Sequence, residues 1–350
     1  MKKRKFLGII LAIILLIPIS TWGEETSSSG LQEQVQQEEA KQEEAKEEVK
    51  KTLTLSAAGD CTLGYYPKQS TWNRFDRVAN EKGYSYFLEN VKAIFEKDDL
   101  TIVNLEGPLT MNGKPADKEF AFRGLPAYVE ILKKGSVETV NLANNHTLDY
   151  GTIGYTDTQK VLKDNKIGYF GADRIDYRTI NEVGVAIIGA KGWYFNKSIK
   201  EVLANQIQEA KKKADLVIVE FHWGEERQYY PNTTQKNLAH YVIDQGAHLV
   251  LGSHPHVVQG VESYKGVNIV YSLGNFCFGG NRNPSDKDSF IYQQSFELTD
   301  KGIVPGKSEI IPCSISSAKN VNDYRPTPLV GAEKERVLKK IDTLSKGLNK

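Results

Sequence analysis

Cysteine is scarce. Three in 350 residues cannot build a disulfide framework, since at most one pair closes and one thiol is left over. Net charge is nearly absent as well: 45 Lys and Arg stand against 44 Asp and Glu, which argues against nucleic-acid binding driven by overall positive charge. Only one long apolar run exists, so a polytopic membrane protein is excluded. Fibrous and collagen-like classes are excluded too, and no internal repeat is present. What remains, at 40% hydrophobic and 25% charged residues, is an ordinary globular composition, long enough for one large or two modest domains and a sizeable core.

The charge that is present is unevenly spread. Lys2, Lys3, Arg4 and Lys5 precede an apolar run of 14 residues, Phe6 to Ile19. A basic cluster followed by an apolar stretch of this length reads as a secretory signal, or as an N-terminal membrane anchor, over residues 1–23. Thr21 and Gly23 stand where small residues favour cleavage before Glu24, although Pro18 and Trp22 crowd that position. No cysteine follows the run, which argues against a lipid anchor. The expected location is therefore extracytoplasmic, secreted or tethered to the outer face of the membrane. Residues 24–51 hold nine Glu and four Lys with few apolar residues, a charged linker without the means to bury a core. A folded domain is expected over 52–320, followed by a Lys-rich C-terminal tail or helix over 321–350.

Within the folded part, short apolar runs alternate with longer amphipathic ones. Leu53–Ala58, Leu100–Leu105, Val137–Leu142, Val183–Ile188, Leu216–Phe221, His248–Leu251 and Val267–Tyr271 read as strands covered on both faces. Helices are expected between them, at Tyr86–Lys97, Pro126–Lys134, Thr152–Lys163, Lys200–Lys213 and Thr233–Gln245. Pro126 starts its helix and Gly135 stops it. The alternation implies an α/β domain with largely parallel pairing.

The residues that follow these strands carry the chemistry. They are Gly59-Asp60, Asn104-Leu105-Glu106-Gly107, Ala143-Asn144-Asn145-His146, His222-Trp223-Gly224 and Gly252-Ser253-His254-Pro255-His256. In open α/β sheets, ligand sites form at the carboxyl edge of the strands. One histidine at such an edge is commonly structural. Four of the six in the chain, with two carboxylates, point instead to a divalent transition metal, Mn, Fe or Zn, because mixed imidazole, carboxylate and carboxamide ligands suit borderline ions. Calcium and magnesium prefer all-oxygen shells. A carboxylate with imidazoles on either side suits one ion or a pair, and such centres activate water at neutral pH.

At these motifs, together with Asn141 to Gly151 and Ser272-Leu273-Gly274-Asn275-Phe276, the sequence resembles the CapA-type poly-γ-glutamate capsule biosynthesis proteins, a branch of the calcineurin-like metallophosphoesterase superfamily. The resemblance runs from about Leu53 to Phe278. It implies an α/β fold, a four-layer αββα sandwich of metallophosphoesterase type. By motif, Asp60 would bind the first metal, Glu106 would bridge, and Asn145, His222 and His254 would hold the second metal. His256 would return to the first, and His146 would protonate the leaving group. Two departures stand out: Thr62 occupies the histidine position of the superfamily's Asp-x-His, and Glu106 replaces the bridging aspartate. The first metal position is thereby poorer by one imidazole.

Four further residues are candidates for substrate contact or for supporting the ligands. Glu226 falls at the spacing of a His-Trp-Gly-x-Glu pattern. Asp149 either orients His146 or caps the helix that follows Tyr150. Arg123 is placed to grip a carboxylate or phosphate or to lie on the surface, and Asn275 to shape the site from a loop. Cys61 reads as a buried thiol, His240 and His248 as structural histidines, and Phe276 to Phe278 as a loop at the core edge. The expected function is a metal-dependent hydrolase-like protein acting on an anionic polymer or phosphoester, in biosynthesis, export or processing of a surface polymer. The alternative is a non-catalytic accessory subunit beside membrane polymer-synthesis subunits. Nucleic acid is not an expected partner.

Overall fold

Alternating side chains along the strands build two mixed sheets. The computed structural model describes residues 51–171 and 174–348. The signal or anchor expected at 1–23 and the linker expected at 24–51 lie outside them, Lys51 excepted. The first half of the described chain runs β1 (Lys51–Thr62), α1 (Phe75–Lys82), α2 (Glu89–Phe95), β2 (Leu100–Leu105), α3 (Val129–Lys134), β3 (Thr139–Asn141), α4 (Gly151–Asp164) and β4 (Gly168–Phe170). Then follow β5 (Asp176–Ile180), β6 (Val183–Gly192), α5 (Lys197–Lys211), β7 (Leu216–Trp223), α6 (Thr233–Gln245), β8 (Leu249–Ser253), β9 (Val261–Tyr264) and β10 (Val267–Val270). The chain closes with β11 (Asn275–Phe278), β12 (Asp288–Thr299), β13 (Gly302–Ser314), β14 (Thr327–Pro328) and α7 (Gly331–Ser345).

The larger sheet has the order β14-β13-β12-β1-β2-β3-β4, with β11 also paired to β1; the smaller has the order β5-β6-β7-β8-β10-β9. Pairing is parallel through β1–β4 and through β6–β8–β10, and antiparallel at β5, β9 and β12–β14. Three apolar layers define the sandwich. Leu55, Ile102, Val185, Ile218 and Leu251 pack between the sheets. Val103 and Val140 on the outer face of the larger sheet meet Phe75, Val91, Ile131 and Leu162 of its helices. Val217 and Val219 on the outer face of the smaller sheet meet Leu203, Ile207, Leu238 and Val242. The result is helix, sheet, sheet, helix, the expected αββα architecture.

Several strands differ from expectation: β4, β5, β9 and β14 have no counterpart among the expected runs. Phe276 to Phe278 form β11, hydrogen-bonded beside the tip of β1, rather than a loop. The long hairpin β12–β13 had no counterpart among the expected strands. Within the segment 321–350, α7 sends Val337, Ile341 and Leu344 into the layer between the sheets.

The same alternation aims the polar tips. In β2, Leu100 and Ile102 face the layer between the sheets, so Asn104 and Glu106 do too. In β7, Leu216 and Ile218 set the face on which Glu220 and His222 follow. In β1, the register with β2 shifts between Ala58 and Asp60, which swings Asp60 to the inner side while Cys61 joins the outer layer. Gly59 makes that shift possible: a Cβ there would lie 1.9 Å from the carbonyl oxygen of Gly274.

Candidate metal centre

At the carboxyl edge, the two sheets bring different donors to one place. The larger sheet supplies Asp60 and Glu106, both fully buried, and the smaller supplies His222, His254 and His256. Donor atoms of Asp60, Glu106 and His222 lie within 4.8 Å of one another, as do those of Glu106, His254 and His256. Glu106 belongs to both sets. Its Oε1 lies 3.7 Å from His222 Nε2, 3.9 Å from His256 Nε2 and 3.9 Å from His146 Nε2. Among the described residues that oxygen has no hydrogen-bond partner, nor has the buried Nδ1 of His254. Orphaned acceptors this deep are costly unless a cation or proton lies between them. The donor set therefore fits a borderline divalent ion.

The backbone is shaped to present these groups. His254 and His256 flank Pro255 with φ of 96° and 57°, left-handed values that cost on the order of 1–3 kcal/mol each and cluster at functional sites. Side-chain partners then fix these donors. Asn104 Nδ2 donates to Asp60 Oδ1 at 2.8 Å, and the His254 amide donates to Asp60 Oδ2 at 3.3 Å. His256 Nδ1 lies 2.9 Å from Asn275 Oδ1 and 3.2 Å from Asp60 Oδ2, which turns its Nε2 toward Glu106. His222 Nε2 lies 2.7 Å from Asn145 Oδ1, although Asn145 itself is exposed.

Burial and mutual charge set the protonation preferences. Burial and the neighbouring imidazoles hold His222 well below its ordinary range, and they lower His254 to about 4. His256 goes the other way: burial opposes its charge, but Glu106 and Asp60 outweigh that and raise it to about 10. Burial, then Asp60, pushes Glu106 upward. Neutral imidazoles at His222 and His254 are the form that binds metal.

Beside the carboxylates stands an acid–base pair. His146 Nδ1 lies 2.7 Å from Asp149 Oδ2, and Asp149 also accepts the Phe122 amide at 2.6 Å. The helix after Tyr150 has no side-chain cap, so Asp149 orients His146 and does not cap α4. Lys118 pairs with Asp149 Oδ1 at 2.5 Å and donates to the Asn145 carbonyl at 3.1 Å.

Two candidates lie outside the donor sets. Arg123 is half-buried with its guanidinium 4.8 Å from the Tyr150 ring, and Glu226 is exposed, its charge reaching His254 and His256 from the rim. His240 pairs with Glu262 at 2.7 Å and His248 accepts the Val217 amide at 2.9 Å, both structural. Cys61 is buried and free, its thiol pushed up to about 12 by burial.

Several site residues have no role assigned from the sequence, although Asn104 stands in one of its motifs. Asn104 and Glu220 stand two residues before Glu106 and His222, so strand periodicity places them on the inner face. Glu220 is raised to about 8 by burial. Lys118 and Trp193 offer no such pattern. Trp193, in the turn after β6, packs edge-to-face with His254 and His222 at centroid distances of 4.7 Å and 5.9 Å.

Comparison with known proteins follows the same residues. A family described as "Bacterial capsule synthesis protein PGA_cap" matches residues 54–280, the span from β1 to just beyond β11. The chain belongs to that family. The PGA biosynthesis protein CapA of Bacillus subtilis (strain 168) is 34% identical over 290 residues, 76% of this chain and 72% of the relative. The capsule biosynthesis protein CapA of Bacillus anthracis is 32% identical over 371 aligned positions, 97% of this chain and 82% of the relative. A probable polyglutamine synthesis accessory protein of Mycobacterium tuberculosis (strain H37Rv) is 28% identical, covering 51% of this chain and 55% of its own. Among solved structures, the calcineurin-like phosphoesterase YfkN from Bacillus subtilis aligns at 15% identity with a TM-score of 0.46, over 84% of this chain and 97% of that one.

Proposed function

We propose that this family member is a metal-dependent hydrolase-like protein acting outside the membrane on an anionic surface polymer of the poly-γ-glutamate type, in its biosynthesis, export or processing. The observation that carries the reading is the buried Glu106 Oε1, orphaned among imidazoles and adjacent to the His146–Asp149 pair. The names of the Bacillus relatives support the polymer, and the basic and apolar N-terminal segment supports export.

A divalent ion bound here supplies Lewis-acid polarisation of substrate and lowers the pKa of water. Asp60, Glu106, Asn145, His222, His254 and His256 would hold one ion or two, and Asn104 and Asn275 fix the direction of Asp60 and His256. His146 gives its Nδ1 proton to the hydrogen bond with Asp149, leaving Nε2 to carry a proton to a leaving group on the open side. Lys118 balances the charge of Asp149 while Phe122 packs against the imidazole at 4.5 Å between ring centroids, keeping water from that face.

The test compares the purified chain with His146→Ala and His254→Ala on a phosphodiester and on poly-γ-glutamate. Removing a general acid costs about 10²–10⁴ in rate. Metal-independent activity, or full activity in both variants, ends the enzymatic reading. A second reading, the accessory subunit, is favoured by Thr62, which leaves the centre short of one imidazole. Wild-type protein that binds metal, turns over neither substrate and co-purifies with membrane subunits supports that role.

A further inference from the structure

At the tip of β6 stands a cation that does not serve the donors around it. Val185 and Ile187 of this strand face the layer between the sheets, so alternation puts Gly189 and Lys191 on the same side. Two contacts agree with that placement. A Cβ at Gly189 would lie 2.6 Å from Asn141 Oδ1 of the larger sheet, and the ring of Trp193, two residues beyond Lys191, packs against His254 and His222. In the register of β6 with β7, Lys191 is paired with His222. After burial and the neighbouring imidazoles, its charge too holds the His222 ring neutral. Lys191 is exposed, and among the described residues no carboxylate forms an ion pair with it. Lys118 and Arg123 differ, the first pairing with Asp149 and the second lying over the Tyr150 ring.

We propose that Lys191 is a specificity-determining residue: it binds a carboxylate of the anionic polymer beside the group held at the centre, with Trp193 as the apolar wall against which the adjoining methylenes lie. The proposal rests on the reading above and deepens it by naming what selects the substrate. An ammonium beside a divalent ion repels it, and no carboxylate of the described residues offsets that cost. An arriving anion does. Once a divalent ion balances Asp60 and Glu106, Lys191 leaves this bank of the site with a surplus positive charge, which an uncharged chain cannot use. Lysine suits the task, because its ammonium is a compact charge on a flexible stem and makes no bidentate demand on the anion. Charge placed this way discriminates between partners more than it adds to raw affinity.

Fluorescence anisotropy of a short labelled γ-glutamate oligomer, with the full chain saturated with Mn2+, tests this directly. Lys191→Ala should weaken binding about 10-fold, the lower end for a hydrogen bond to a charged group. Lys191→Glu should weaken it further, and Lys191→Arg should stay close to wild type. Mn2+ affinity, read by calorimetry, should hold or tighten in Lys191→Ala because a like charge has gone, whereas a structural role would lower both. An oligomer of the same length with its carboxylates converted to amides should bind wild type and Lys191→Ala alike. Oligomer affinity unchanged in both Lys191→Ala and Lys191→Glu, or Mn2+ affinity that falls together with it, overturns the proposal and leaves the metal-centre reading standing. A loss seen with polyphosphate but not with γ-glutamate moves the position to phosphate and overturns the carboxylate assignment. Wild type that binds Mn2+ but no oligomer overturns the polymer reading as well.

Discussion

Carboxylates gather at both ends of the strands β2 and β3, and they are held in opposite ways. At the amino ends of β2 and β3, Glu138 Oε2 accepts the Thr101 amide at 2.7 Å and Asp98 Oδ2 accepts the Thr101 hydroxyl at 2.9 Å. Asp176 Oδ2 takes both the Thr139 hydroxyl and Arg178 Nε at 2.8 Å. Hydrogens meet lone pairs there, Asp98 Oδ1 excepted. At the carboxyl ends, Glu106 Oε1 lies 3.7 to 3.9 Å from three imidazole nitrogens, beyond hydrogen-bond reach, and has no hydrogen-bond partner among the described residues. A buried acceptor that no donor reaches loses its hydration without return. Burial of charge alone therefore does not mark a site in this molecule; an unpartnered carboxylate oxygen ringed by imidazoles does.

Removing the donor common to both sets has the largest expected effect. Glu106→Ala takes a donor from both sets at once, and the loss of affinity for Zn2+ or Mn2+ should exceed the roughly 100-fold ceiling typical of ligand-supporting residues. Calorimetric titration reads this, with far-ultraviolet circular dichroism to show that the fold persists. Affinity within a few-fold of wild type would mean that the orphaned oxygen is not a ligand.

Next comes the layer that both edges share. Leu251 is fully buried between the sheets, two residues before Ser253 and three before His254. Leu251→Ala should lower stability by about 2–5 kcal/mol, seen as a fall in the urea midpoint. Because the donors come from different sheets, metal affinity should fall with it. Stability lost without any change in affinity would show that the centre holds its geometry independently of the core.

How far the sequence carries the reader follows from the same alternation. Strands covered on both faces announce themselves as apolar runs, so β1, β2, β7 and β8 were legible, and with them the residues at their tips. The αββα layering came from the family resemblance and not from periodicity, since nothing local says which strand pairs with which. The hairpin β12–β13 was illegible because its strands are only partly covered; Lys307, Ser308 and Glu309 are exposed, and their pattern reads as loop. Lys118 and Trp193 were illegible for another reason. Each reaches the site from a connecting segment, through contacts that only the folded chain creates. Thr62 was visible as a departure, but its bond to Glu106 was not.

A smaller effect separates ligands from their supports. Asn275 contacts His256 twice, with Oδ1 at 2.9 Å from Nδ1 and Nδ2 donating to the backbone oxygen at 3.2 Å. Asn275→Ala frees that ring to rotate and should weaken metal binding by about 10- to 100-fold, less than loss of Glu106. Equal losses from the two substitutions would place Asn275 among the ligands themselves.

The smallest effect belongs to the amino edge, and it is a matter of pH. Burial outweighs the Thr101 amide and, with Asp98 nearby, raises Glu138 from its ordinary value of 4.5 to about 7; burial likewise raises Asp98 to about 6. A carboxyl whose folded value lies above its unfolded one binds more protons in the folded state between the two. Its contribution to stability is thus complete below about pH 4.5 and is lost as pH climbs through about 7. Glu138→Gln fixes the neutral form and should flatten that part of the stability profile, measured as urea midpoints from pH 4 to 8, while leaving metal affinity at neutral pH untouched. Parallel profiles for the two proteins would show that the hydrogen bonds at this edge, rather than desolvation, govern Glu138. A change in metal affinity would show that the two edges are coupled across the sheet, and the contrast between them would fail.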